Sequence, residues 1–264
     1  MEISAPSALP VVRPAQAWAG VEFFCTTRAG GVSPAPFDSL NLGLGAGDEP
    51  EYVLANRRLL GHLLPSEPAW LKQVHGVRVV DADDLVTFAS AISPPEADAS
   101  VTTRPERVLA VLTADCLSVV VSDDQGSVLG AAHAGWKGLA AGVLEQTLAL
   151  MQRKQPEARS WRAWIGPGIG AASFQVGSDV REAFAAELAL QPSLCVPDPL
   201  MTDRWRLDLA GLAHIRLNKM GVLKVEHSHL CTVTNVKQFF SYRRDRQTGR
   251  MATVAWLKPS VSPD

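Results

Sequence analysis

The chain has 264 residues, is 47% apolar and 20% charged, and carries a formal net charge of −2. Such a composition buries a substantial core and gives no electrostatic footing for DNA, RNA or an anionic membrane. Its apolar runs fall well short of the ~20 residues a membrane span needs, and the opening MEISAPSALPVVRPAQAW has neither a basic leader nor a sustained apolar segment, so no secretory signal is expected.

In chain order, residues 1–15 read as a loose, Pro-containing lead-in and VEFFCTTR (21–28) as a strand. GGVSPAPFDSLNLG supplies turn chemistry, and EYVLANRRLLGHLL (51–64) places Val53, Leu60 and Leu63 at helical spacing. WLKQVHGVRVVDAD (70–83) reads as two extended pieces meeting at His75-Gly76. RVLAVLTADC, LSVVVSD and SVLGAAHA follow as three strands, and GLAAGVLEQTLALMQRK (138–154) as a helix. RAWIGPGIG and SFQVG are extended, and DVREAFAAELAL (179–190) is a helix with Asp179 and Glu182 as a capping pair. DLAGLAHIRLNKMG (208–221) is a helix ended by Gly221, the remainder reads as strands around a polar turn, and 259–264 is a short tail. Strands follow strands and helices are inserted singly, without a linker. That pattern predicts an α+β fold with mixed sheets and helices packed outside, in one domain over 1–264.

Four cysteines, at 25, 116, 195 and 231, show no CxxC spacing, which points to reduced thiols in a cytoplasmic protein. If strands 117–122 and 128–133 pair across a tight turn centred on Asp124-Gln125, Cys116 stands directly opposite His133. Opposed residues have Cβ atoms about 5 Å apart, near enough to share one metal ion. His75, on a turn and followed by Gly76, is the third ligand of choice, and Cys plus two His is a zinc set that leaves a place for water. The plainer alternative is a core cysteine with two hydrogen-bonded histidines. His227, His229 and Cys231 alternate along a strand and form a rival metal group, though each step of about 7 Å is long for adjacent ligands. The helix start after AHAGWKG is either an anion site or an ordinary strand-to-helix turn. YRRDRQTGR (242–250) is either a phosphate clamp or a solvated turn, whereas GPGIG, with a proline and an extended continuation, is not a dinucleotide loop.

KQVHG, TADC, AAHAGWKG, IGPGIG, LDL and CTxxxxxxFFSYRRDxxTGRMA occur in that order. Together they resemble the YfiH-type family, often labelled laccase-domain or multicopper polyphenol oxidase, over about Thr27 to Leu257. The chain departs from the family at Phe174-Gln175, where Tyr-Glu is frequent, and at Ala172-Ser173, where cysteines are frequent.

The resemblance implies a three-layer α/β/α fold with mixed sheets, related to the catalytic domain of cytotoxic necrotizing factor toxins. It implies zinc at His75, Cys116 and His133, with copper as the alternative ion, and the same three residues as the catalytic set. The implied activity is phosphorolysis of adenosine, inosine and methylthioadenosine, together with adenosine deamination. Arg57, Arg243, Arg244 and Arg250 are then the candidates for binding substrate phosphate. Two further activities compete: copper-dependent oxidation of phenols, and hydrolysis by a Cys116 nucleophile that edits peptidoglycan precursors. Asp115 and Thr113, on a regular strand, point away from Cys116.

Overall fold

The computed structural model describes residues 9–85 and 93–259, so residues 1–8 of the expected lead-in and all but residue 259 of the expected tail lie outside the described residues. Two sheets face each other. The smaller is antiparallel, with strands Val11–Val12, Val21–Thr26, Met251–Leu257 and Leu109–Thr113 side by side in that order. The larger runs Lys224–His227, Trp161–Ile165, Leu117–Asp123, Leu129–Ala134, Ala99–Thr102 and Val79–Asp81; it is mixed, parallel in its two outer pairs and antiparallel within. A further antiparallel sheet joins Cys195–Pro197, Trp205–Leu207 and Gln175–Val176.

Strand alternation sorts the core into layers. Leu117, Val119, Val121, Ala132 and Ala134 face the helices Val143–Lys154 and Leu209–Lys219, through residues such as Leu148, Met151, Leu212 and Leu217. Val120, Leu129 and Ala131 point the other way and pack on Phe23, Cys25, Val111 and Ala255 of the smaller sheet. That sheet's outer face, with Phe24, Ala110 and Val254, is closed by Leu60 of the helix Pro50–Gly61 and by Trp70. The expected α/β/α arrangement is present; its β layer is double, and of the two facing sheets the larger is mixed.

Several local expectations change. Leu109–Thr113 belongs to the smaller sheet and the next two strands to the larger, so residues 114–116 cross between sheets. The hairpin pairs Ser122 with Leu129 and Ser118 with His133, two residues away from the predicted register. The cause is Asp123, whose carboxylate takes the N–H groups of Ser127 (2.7 Å) and Val128 (3.2 Å) and widens the loop. A shift of two preserves which face each residue occupies.

The helix expected at 138–154 is two, Trp136–Ala141 and Val143–Lys154, broken at Gly142 with φ of 99°. The one expected at 179–190 is also two, Ser178–Ala183 and Ala185–Leu190, interrupted at the fully buried Phe184; Gly177 rather than Asp179 occupies the N-cap. The first helix ends at Gly61 and leaves Leu63 exposed. Asp208 caps Leu209–Lys219 by accepting the Gly211 N–H at 2.9 Å, and Gly221 follows that helix at φ 84°. The polar turn of the tail contains a helical turn, Tyr242–Asp245, capped by Ser241. No described helix is long and apolar enough to cross a membrane.

Candidate metal centre

Odd-numbered residues of the Leu129–Ala134 strand face the gap between the two sheets, which places His133 there, 3% exposed. The neighbouring strand Ala99–Thr102 sets Asp98 beside it: the Asp98 carbonyl accepts the His133 N–H at 2.7 Å, and its carboxylate accepts His133 Nδ1 at 2.8 Å. A ring held through Nδ1 offers Nε2 to the site, the arrangement in which a carboxylate orients a metal-binding imidazole.

His75 lies on the turn between Trp70 and Asp81 with φ of 61°, left-handed for a non-glycine residue. Asp98 also accepts the N–H groups of Val74 (3.2 Å), His75 (2.9 Å) and Gly76 (2.7 Å). Gly138 lets the Trp136–Ala141 helix sit on this turn, since a Cβ there would stand 2.7 Å from the Gly76 carbonyl oxygen. That helix has a single turn and a half, so its start is a packing element.

Cys116 ends the crossing between the sheets. Asp115 immediately before it has φ of 98°, so the regular strand expected at TADC is broken there. Its carboxylate accepts the Thr232 hydroxyl and the Arg243 N–H, both at 2.6 Å, and anchors the crossing. Cys116 Sγ then stands 3.8 Å from His75 Nε2, and one ligand atom from each of His75, Cys116 and His133 lies within 4.8 Å of the others. Zinc bonds of about 2.0 Å to nitrogen and about 2.3 Å to sulfur separate tetrahedral ligands by about 3.5 Å, so the trio fits such an ion. Burial works against a Cys116 thiolate, yet hydrogen bonding to His133 and His75 holds the thiol well below its ordinary range. Burial likewise disfavours a charged His133, and pairing with Asp98 and Cys116 outweighs it and raises the imidazole.

The trio opens on a cavity of about 550 Å³. Arg57, Arg243 and Arg250 line it, with Trp136, Phe174 and Tyr242 among the apolar walls. Arg57 stacks 3.8 Å over Trp70 and donates to the Leu42 carbonyl, and burial lowers its guanidinium to about 10. Arg243 donates to the Gln175 carbonyl, and Arg250 to the carbonyls of Thr248 and Gly249. Arg244 does not line the cavity: it donates to the carbonyls of Thr232, Val233 and Phe239 and pairs with Asp245.

The rival group does not assemble. His227 Nε2 lies 2.8 Å from His214 Nδ1, and Cys231 instead receives the Gly170 N–H. Among the described residues, His75, Cys116 and His133 are the one group with metal-binding spacing. Sequence reading missed Asp98, because its role depends on strand neighbours rather than on spacing.

Fold and site define a mixed-sheet α+β protein with a Cys/His₂ metal-capable centre on an arginine-lined cavity. The chain belongs to the family described as multi-copper polyphenol oxidoreductase laccase, whose profile matches residues 22–258. The purine nucleoside phosphorylase of Pseudomonas aeruginosa is 45% identical over 233 residues, 88% of this chain and 92% of that protein. The purine nucleoside phosphorylase YfiH of Escherichia coli is 44% identical over 240 residues, 90% and 94% of the two. Among solved structures, a Neisseria meningitidis protein superposes with a TM-score of 0.84 at 38% identity, covering 96% of this chain and 100% of that one. YfiH of Bacillus licheniformis superposes at 0.87 with 31% identity, covering 95% and 98%.

Proposed function

We propose that the protein is a purine nucleoside phosphorylase that also deaminates adenosine, with zinc held by His75, Cys116 and His133. The observation that carries this reading is the shared cavity, onto which the ligand trio and three arginines open together. The relatives named above as purine nucleoside phosphorylases support it.

In phosphorolysis a phosphate oxygen bonds to C1′ of the ribosyl group, the glycosidic C–N bond breaks, and the base leaves with the electron pair and gains a proton. Arg57, Arg243 and Arg250 neutralise the phosphate, and guanidinium geometry suits its oxygens. Trp136 and Phe174 offer apolar surface to the base. Asp115 positions Arg243 through its backbone N–H. Zinc, when bound, would supply Lewis acidity and a nucleophile at neutral pH for attack on C6 of adenine. Adenosine, inosine and methylthioadenosine are the proposed substrates, and the cytoplasm, where the four thiols stay reduced, is the proposed location.

The test is purified protein of measured metal content, assayed on these nucleosides with and without phosphate. Phosphate-dependent release of base is expected from all three, and ammonia without phosphate from adenosine. Indifference of zinc-loaded protein to every nucleoside, with phenol oxidation by copper-loaded protein, would reverse the assignment in favour of the oxidase that the family description names.

One further reading has a specific observation behind it. The Cys116 thiol, the His133 imidazole and Asp98 stand in series, as in a cysteine hydrolase. Such an enzyme, acting on peptidoglycan precursors, would keep its activity under chelation; loss of activity with the thiol still free to alkylate excludes it.

A further inference from the structure

Asp98 lies outside every motif that marks the site, and its side chain is completely buried. A buried carboxylate is costly unless its lone pairs are all used. Here one oxygen takes the His75 N–H and the His133 ring, and the other takes the N–H groups of Val74 and Gly76. The same acid therefore touches the segments that carry two of the three ligands. Each contact fixes something the ligand set needs. The bond to Nδ1 sets the His133 ring with Nε2 free for Cys116. The three N–H groups of the turn converge on this carboxylate and hold His75 at φ 61°, a left-handed conformation that is unfavourable for a non-glycine residue on its own.

We propose that Asp98 is the positioning residue of the metal centre, one carboxylate that orients the His133 ring and locks the His75 turn, so that both imidazoles meet the Cys116 sulfur. This rests on the metal reading given above. The role requires a carboxylate. An asparagine offers one acceptor oxygen and one NH₂, and the NH₂ would face at least one N–H that Asp98 now accepts.

The experiment uses metal-stripped full-length protein titrated with cobalt(II), read by its visible and sulfur-to-metal absorption bands. Zinc affinity is measured in parallel by competition with a chromophoric chelator. Melting of the metal-free proteins fixes a temperature at which all variants are folded. Wild type is expected to bind one ion with a tetrahedral cobalt spectrum. Asp98→Asn is expected to weaken binding by about 10–100-fold and to change that spectrum, as loss of a carboxylate behind a ligating histidine does. Should Asp98→Asn not yield folded protein, Asp98→Glu, which keeps the charge and displaces it, is expected to weaken binding several-fold. A variant that melts lower yet binds cobalt and zinc with wild-type affinity and spectrum overturns the proposal. Wild type that binds neither ion overturns the metal reading itself, an outcome distinct from a defect confined to the variants.

Discussion

Gly135 faces Cys116 with no room for a side chain: a Cβ on Gly135 would stand 2.9 Å from Cys116 Sγ and 2.9 Å from His75 Cδ2. The backbone at Gly135 has φ of −68°, which alanine adopts freely, so substitution there tests packing alone. Forcing a methyl into a filled site costs about 1–3 kcal/mol, and here the atoms in its path belong to the candidate ligands Cys116 and His75. Gly135→Ala is expected to lower metal affinity at least about tenfold, which corresponds to about 1.4 kcal/mol, and nucleoside phosphorolysis with it. Metal content after dialysis and the melting temperature of the stripped protein check this; full metal retention would mean that the neighbours yield.

The four arginines separate by where their guanidinium groups are spent. Arg57→Gln, Arg243→Gln and Arg250→Gln are each expected to raise KM for phosphate by about tenfold or more, since a hydrogen bond to a charged group is worth about 1.5–3 kcal/mol. Phosphate-independent deamination should be less affected. Arg244→Gln is expected to leave KM near wild type and to lower the unfolding free energy by about 1.5–3 kcal/mol, through the Thr232, Val233 and Phe239 carbonyls it now ties together. Steady-state kinetics and urea titrations distinguish the two outcomes.

Thiol labelling should follow position. Cys25 is 0% exposed between the sheets, and burial pushes its thiol up to about 12. Cys116 lines the open cavity. Iodoacetamide at neutral pH is expected to modify Cys116 in metal-stripped protein, to spare it after zinc loading, and to reach Cys25 on unfolding only. Peptide mass spectrometry reads each site, and native labelling of Cys25 would contradict the sheet packing described.

Asp83 is a contributor to acid sensitivity away from the site. Burial tends to raise the Asp83 carboxyl, but the Thr102 hydroxyl, the Thr103 N–H and hydroxyl (both 3.0 Å) and Lys154 outweigh it, and the group lies below its ordinary range. Because the folded-state value is the lower one, the unfolded chain takes up the proton first as pH falls. The stabilisation is therefore complete above about pH 5 and is lost through the folded-state value, below about pH 4. Asp83→Asn should be less stable than wild type at neutral pH, with the gap closing in acid. Urea unfolding at several pH values checks this; a gap that does not change with pH counts against the assignment.

KQVHG, TADC and AHAGWKG each carry one residue of the trio, and apolar periodicity located most helices, because both signals are local. What failed depended on partners elsewhere in the fold. The hairpin register turned on the Asp123 side chain capturing two N–H groups, where strand propensity alone predicts a tighter turn. The pattern around TADC reads as a regular strand, whereas the φ of 98° at Asp115 follows from the chain changing sheets. The break at Phe184 reflects a side chain claimed by the core, and helical spacing is blind to that. Asp98 escaped notice since it touches His75 and His133 only once the strands are assembled.

The crossing at 114–116 gives the cavity a mechanical character. The Cys116 sulfur stands at the end of that crossing, while the His133 imidazole rides on one layer and Arg250 adjoins the first strand residue of the other. Sliding one layer over its neighbour would shear sulfur from nitrogen and guanidinium from both. The Ser118 and Thr253 hydroxyls, 2.7 Å apart across the gap, act as a dowel against that slip. An ion held by His75, Cys116 and His133 would tie the end of the crossing and the His75 turn to the larger layer, on the open side of the same joint.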